Sequence, residues 1–226
     1  MLTKCIGIIS YLPDDEPLRT HRKEKFKRLI NTLNTFFKLP IIIIAQNWDD
    51  EDLNIVYCNT IKVYKYNNML GVTGARIALR DKFLQSDYDY IILLDDDSNI
   101  ICTESGVTAY FKQIDAHPDM MGLFKNRAWH RLLAISKSMY QLMNYDFIKG
   151  YESIRGEIWE DAAFVNTYKR VYPNKVFQIN VIGLDEKQLI SEEDPDTTWY
   201  KPEFDNKVRM HKITNEITKR WINSLL

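Results

Sequence analysis

Residues 88–97 read Tyr-Asp-Tyr-Ile-Ile-Leu-Leu-Asp-Asp-Asp, an apolar run whose last aliphatic residue, Leu94, is followed at once by three carboxylates. An unbroken aliphatic run predicts a strand buried on both faces, as in a parallel sheet. Consecutive aspartates repel one another, and their pKa values rise unless a cation or hydrogen bonds compensate. In open α/β sheets ligands gather at the carboxyl ends of strands, which is where Asp95, Asp96 and Asp97 fall. Asp95 and Asp97 are two residues apart, so an extended backbone turns them to one side. Hard oxygens at that spacing suit Mg²⁺ or Mn²⁺, particularly an ion that also binds phosphate. The competing reading is a solvated acidic turn that caps the next helix. An EF-hand is excluded: Asp95, Asp97 and Asn99 fit its first three ligand positions, but Ile100 stands where glycine is needed and Gly106 where a glutamate is.

Working outward, residues 4–10 (KCIGIIS) predict a first strand that ends at the turn Tyr11-Leu12-Pro13. Pro17 opens a helix on which Phe26, Leu29, Ile30, Leu33 and Phe37 share one face, and Pro40 ends it. Ile41–Ala45 and residues 60–66 predict two more strands, and Gly71-Val72-Thr73-Gly74-Ala75-Arg76 begins a helix to about Leu84. This alternation points to an α/β fold with a mostly parallel central sheet, right-handed crossovers and flanking helices. Downstream, a helix around 103–116 is stopped by Pro118, and strands are predicted near 120–125 and 132–136. A helix from Glu160 to Arg170 and a strand from Lys175 to Val181 follow. Residues 185–206 are polar and loop-like, and a last amphipathic helix holds Ile217 and Trp221. No linker or repeat interrupts the chain, so residues 1–226 are read as one domain.

The 226 residues carry 30 basic and 31 acidic side chains, and the net charge of −1 gives no global attraction to nucleic acid or an anionic membrane. With only 8 glycines and 7 prolines, the chain is neither linker-rich nor disordered. Cys5, Cys58 and Cys102 are odd in number and lack metal-ligand spacing, which predicts reduced thiols in the cytoplasm. The most apolar run, Ile41–Ala45, falls far short of the roughly 20 residues of a membrane span, so no transmembrane anchor is expected.

The order of features resembles the GT-A glycosyltransferases, and within them the family-two-like enzymes. The matching residues are Ser10-Tyr11-Leu12-Pro13 after the first strand, Gly74-Ala75-Arg76 at a helix start, the acidic triplet, Trp159-Glu160-Asp161, and Met210-His211 near the end. The resemblance implies an enzyme that moves a hexosyl or pentosyl group from a nucleotide-sugar to an acceptor hydroxyl. It divides the chain into a nucleotide-sugar half, 1–101, and an acceptor half, 102–226. By resemblance, Asp95 and Asp97 hold the donor's ribose and a Mn²⁺ or Mg²⁺ ion that bridges its diphosphate, with Asp96 between them. Ser10, Tyr11 and Pro13 border the nucleotide, and Arg76 is either a nucleotide or diphosphate contact or a surface helix arginine. His211 is either a further metal ligand or a structural histidine. Asp161 is the implied general base, with Glu160 as its alternative, and attack opposite the leaving group inverts the anomeric carbon. Acidic residues in a helix's first turn also satisfy its dipole, which explains the pair without catalysis. Trp159 lines the sugar or belongs to the core.

The chain departs from the family pattern after the second strand, where Gln46-Asn47-Trp48 stands in place of an acidic base-reading residue. Gln46 or Asn47 suits a uracil edge, which leaves the base open, and a UDP-sugar is the expected donor. The end reads Ile217-Thr218-Lys219-Arg220-Trp221, with isoleucine in place of the glutamine of processive members. Arg19, Arg22, Lys23, Lys25, Lys27 and Arg28 crowd one helix and are read as a solvated face. As phosphate contacts they fit a second reading, a phage-type DNA glycosyltransferase acting on a hydroxymethylated base or its attached sugar. The acceptor thus stays open between a glycan and modified DNA. A nucleotidyltransferase lacks support because Tyr11–Glu16 contains no glycine, and a noncatalytic sugar-nucleotide-binding module is the remaining alternative.

Overall fold

A computed structural model describes residues 1–54, 60–68, 70–125, 131–142 and 160–187, with 215–216, 219 and 222–223; of residues 160–163 and 187 it describes the backbone alone. The elements in chain order are β1 (Lys4–Tyr11), α1 (Glu16–Thr32), β2 (Ile41–Gln46), α2 (Asp50–Leu53), β3 (Ile61–Tyr66), α3 (Gly71–Leu84), β4 (Tyr90–Asp95) and β5 (Asn99–Cys102). Then come α4 (Glu104–Asp115), β6 (Met121–Phe124), β7 (Leu133–Ser136), α5 (Lys137–Gln141), α6 (Glu160–Val171), β8 (Val176–Ile179) and β9 (Leu184–Lys187).

The strands and helices expected in the first 95 residues are present. Asp15 caps α1 by accepting from the Leu18 amide at 3.1 Å, and Pro17 sits in the first turn, where its missing N–H costs no helical bond. The helix widens into one π-turn, Leu33–Phe37, which closes at Lys38 in a left-handed conformation (φ 52°). Two short helices, α2 and α5, were not expected. Residues 99–102, where no element was expected, and 184–187, read from 185 onward as loop, pair antiparallel as a separate two-stranded ribbon, β5–β9. That pairing joins segments about eighty residues apart, beyond the reach of local periodicity. The boundary expected at residue 101 falls inside β5. Ile217 and Trp221 lie outside the described residues.

The main sheet has the order β3-β2-β1-β4-β7-β6-β8. β1, β2, β3 and β4 are parallel, β7 is antiparallel to both β4 and β6, and β8 runs parallel to β6. Alternate residues of the buried strands feed two cores. Ile6, Ile8, Ile41, Ile43, Ile92 and Leu94 pack under α1 and α4, while Cys5, Ile9, Ile42, Ile44, Ile91 and Leu93 pack under α3, α5 and α6. Two glycines permit close approaches. A Cβ on Gly7 would fall 2.5 Å from Ile91 Cδ1 and 3.0 Å from Leu79 Cδ2, so the bare backbone lets α3 settle on β1. A Cβ on Gly106 would fall 2.2 Å from the Gly183 carbonyl oxygen, so α4 and the turn before β9 meet backbone to backbone. Among the described residues no helix is long and apolar enough to cross a membrane.

Candidate active site

β1 leads through α1 outward to β2 and β3, and α3 then returns the chain to β4 on the other side of β1. The direction of winding therefore reverses between β1 and β4, and the crevice beyond their carboxyl ends is where open α/β sheets take ligands. Ser10, Tyr11 and Pro13 end one wall of that crevice, and Asp95, Asp96 and Asp97 end the other. Strand alternation sorts the aspartates: Asp95 continues the α3 side of the sheet and Asp96 the α1 side.

Asp96 is fastened to β1. The Trp48 indole N–H, a donor only, gives its hydrogen to Ser10 Oγ at 3.1 Å, so Ser10 donates its own to Asp96 Oδ2 at 2.7 Å. The Tyr11 amide donates to the same oxygen at 3.2 Å. Burial lifts the Asp96 pKa above its ordinary value, against the pull of the Arg22 charge and these two hydrogen bonds. Trp48 is 1% exposed and packs on Phe26 at 5.1 Å between ring centroids, so the relay is anchored in the α1 core. Asp96, expected between the two aspartates of the donor site, thus spends one carboxylate oxygen on the chain itself.

Asp95 stands between two arginines. Arg76 is 1% exposed and bonds Asp95 Oδ1 in a short contact, which sets aside the surface reading of that residue. Arg131 approaches the other oxygen, Oδ2, at 3.4 Å, lies 3.9 Å from Asp97 Oδ1, and reaches Glu186 Oε1 on β9 at 3.2 Å. Neither Arg131 nor Glu186 was singled out by sequence reasoning. The signal for Arg131 is the antiparallel register: Leu93 lies opposite Leu133, and two more residues along each strand bring Asp95 opposite Arg131. That inference needed the direction of β7, which the sequence does not print.

Asp97 keeps 32% of its side chain exposed, and its pKa is pushed up to about 7 by burial of the carboxyl and by the charges of Asp95 and Asp96, against Arg131 and Arg22. Beside it, a cavity of about 30 Å³ runs between α1 and the turn into β5, lined by Lys25, Arg28, Ser98 and Asn99. At this corner four carboxyl groups (Asp95, Asp96, Asp97, Glu186) face three guanidinium groups (Arg22, Arg76, Arg131). Among the described residues no three His, Cys, Asp or Glu side chains converge as a ready cation cage. The carboxyl oxygens are nevertheless the donor type a hard divalent ion takes.

The other expected residues divide as follows. The Gln46 side chain is buried, and its amide oxygen accepts from the Leu70 amide at 2.8 Å, at the start of α3. Asn47, at φ 58°, donates to the Leu12 carbonyl and to Asp14 Oδ1, both at 2.8 Å. Pro13 is buried, with its carbonyl facing Arg19 Nη1 at 3.4 Å. The basic stretch is not the solvated face expected of it. Arg19 is buried and bonds Asp49 and Asp52, Lys23 bonds Asp52 at 2.8 Å, and Lys25 is buried too; only Lys27 and Arg28 are exposed. Glu160 and Asp161 open α6, which returns to β8 at the amino end of the sheet and therefore starts toward the carboxyl ends. Their side chains, with Trp159 and His211, lie outside the described residues.

No family model matches the chain, and no curated protein matches it. Solved structures do. S. aureus TarS superposes with a TM-score of 0.57 at 14% identity over 85% of this chain, which spans only 38% of the length of TarS. A TarS chain in complex with UDP-GlcNAc gives 0.54 at 13% identity, over 81% of this chain and 57% of that one. A Desulfovibrio desulfuricans protein assigned as a nucleotide-diphospho-sugar transferase gives 0.53 at 12% identity, over 98% and 99% of the two chains. The M. tuberculosis glucosyl-3-phosphoglycerate synthase gives 0.51 at 8% identity, over 100% and 80%. The chain has the GT-A fold.

Proposed function

We propose that this protein is a GT-A glycosyltransferase that moves a hexosyl or pentosyl group from a nucleotide-sugar, a UDP-sugar, to an acceptor hydroxyl. The observation that carries the reading is the acidic triplet at the switch point of a GT-A sheet, with the end of β1 fixed beside it through Asp96. That one of the similar structures holds UDP-GlcNAc supports the choice of donor. In this reading Ser10, Tyr11 and Pro13 border the nucleotide, and Gln46 and Asn47 hold the nearby turns in place. Asp95 and Asp97, with His211 as a further ligand, hold Mn²⁺ or Mg²⁺; the ion supplies Lewis-acid stabilisation of the charge on the departing diphosphate. Arg76 fixes one oxygen of Asp95, so the carboxylate presents its other edge to the site. Asp161, or Glu160 in its place, accepts the proton of the acceptor hydroxyl, and attack from the opposite face inverts the anomeric carbon. Residues 1–101 form the donor half and 102–226 the acceptor half of one domain, although Arg131 and Glu186 of the second half reach the carboxylates of the first. Free Cys5 and Cys102 suit a reducing cytoplasm as its place.

With Arg19 and Lys25 buried and Arg19 and Lys23 paired to Asp52, little of the basic stretch is left for a DNA backbone, so the hydroxyl of a glycan or small molecule is the favoured acceptor. A melting-temperature panel of nucleotide-sugars with and without Mn²⁺ tests the reading. UDP-sugars with Mn²⁺ are expected to raise the midpoint, because a ligand that binds only the native state stabilises it. Asp161→Asn should keep that rise while losing transfer. A flat panel across all nucleotides would remove the enzyme assignment.

A further inference from the structure

The two arginines at Asp95 differ in how they are held. Arg76 comes from the middle of a packed helix, is 1% exposed, and makes a short bond to a single carboxylate. Arg131 stands just before β7 and spreads one guanidinium over three carboxylates at 3.4, 3.9 and 3.2 Å. Charge-assisted pairs that lock a geometry run at roughly 2.7–2.9 Å, so the contacts to Asp95 and Asp97 are loose, and the one to Glu186 is the tightest of the three. Yet Arg131 occupies the gap between Asp95 and Asp97, which is where the proposed cation would sit.

We propose that Arg131 is an exchangeable internal cation: it neutralises Asp95 and Asp97 until a divalent ion enters, then turns to the donor's diphosphate. The inference rests on the proposed function. Two carboxylates left side by side without a cation would be costly in a partly desolvated crevice, and Arg131 covers that cost in the resting protein. An entering ion relieves both carboxylates of their need for the arginine. The displaced guanidinium then presents its planar fork to a diphosphate, whose paired oxygens match it. Ion and nucleotide therefore help each other bind, and linkage requires the help to be mutual. Glu186, on the far side of Arg131 and 1% exposed, holds the pivot.

Arg131→Met, which keeps length and removes charge, tests this in the full chain. Free Mn²⁺ is counted by its paramagnetic resonance signal, and UDP binding by calorimetry in saturating Mn²⁺. The two affinities should move in opposite directions: Mn²⁺ alone binds about tenfold tighter, and UDP about tenfold weaker, each a step of roughly 1.4 kcal/mol. Damage to the fold would weaken both. Arg131→Lys keeps the charge and stands in should the methionine variant not fold. It should leave Mn²⁺ affinity near the wild-type value and still weaken UDP, because an ammonium lacks the fork. Wild-type uptake of Mn²⁺ with UDP, but no gain of Mn²⁺ affinity in Arg131→Met, overturns the exchange alone. If neither the wild type nor the variants take up Mn²⁺ with UDP, the exchange and the proposed function fall together.

Discussion

The two halves of the main sheet are built differently. β3, β2, β1 and β4 are parallel strands of six to eight residues, with β2 and the interior of β1 and β4 buried on both faces. β7, β6 and β8 are four residues each, and one of them runs backward. The first half sets the carboxylates with close contacts, Ser10 to Asp96 at 2.7 Å and the short Arg76–Asp95 pair. The second half, with the β5–β9 ribbon, supplies Arg131 and Glu186 at longer range. One half fixes where the charges stand, and the other governs how they are compensated.

The hardest blow to that division is Asp95→Ala. It leaves the Arg76 guanidinium, 1% exposed, without this carboxylate. Breaking a buried pair from one side is expected to cost about 3 kcal/mol in urea unfolding. A cost within error of zero would mean that the long half is no more rigid than the short one. Ser10→Ala comes next. It removes the acceptor of the Trp48 indole and one donor to Asp96, both away from water, for a loss of about 1–2 kcal/mol by the same measurement. If only Mn²⁺·UDP affinity fell and stability held, Ser10 would belong to the ligand rather than to the strand joint.

A further effect is one of pH. The folded Asp97 carboxyl titrates near 7, against an ordinary 3.8, so the native state holds that proton more tightly than the unfolded chain does. Stability should therefore decline as pH rises from about 4 to about 7 and level off above that. Asp97→Asn should flatten part of the decline, which thermal melts across that range would reveal. An unchanged slope in the variant would assign the titration elsewhere. Metal binding runs the other way, because an ion competes with the proton, so Mn²⁺ affinity should fall as pH drops through 7.

What the sequence made legible follows the same division. Leu94 passing into Asp95 revealed a buried strand and its loaded end, because aliphatic run and polar stop are local signals. Pro17 and Pro40 bounded a helix for equally local reasons. The β5–β9 pairing, Glu186 and Arg131 were not legible, since each depends on partners dozens of residues distant. Arg19 was misread as solvated for the same cause: Asp49 and Asp52, which hold it, come from beyond the next strand. Asp161 kept its place at the head of a helix, where the dipole and the proposed chemistry favour the same residue.

The meeting of Gly106 with Gly183 has a mechanical consequence. With no side chain between them, helix and ribbon touch as two bare rails, and the ribbon inherits its height from α4. Glu186 lies three residues past that joint and steadies Arg131. A single methyl at position 106 would have to lift the turn away, and the lift would travel along β9 to loosen the grip on a charge in the crevice.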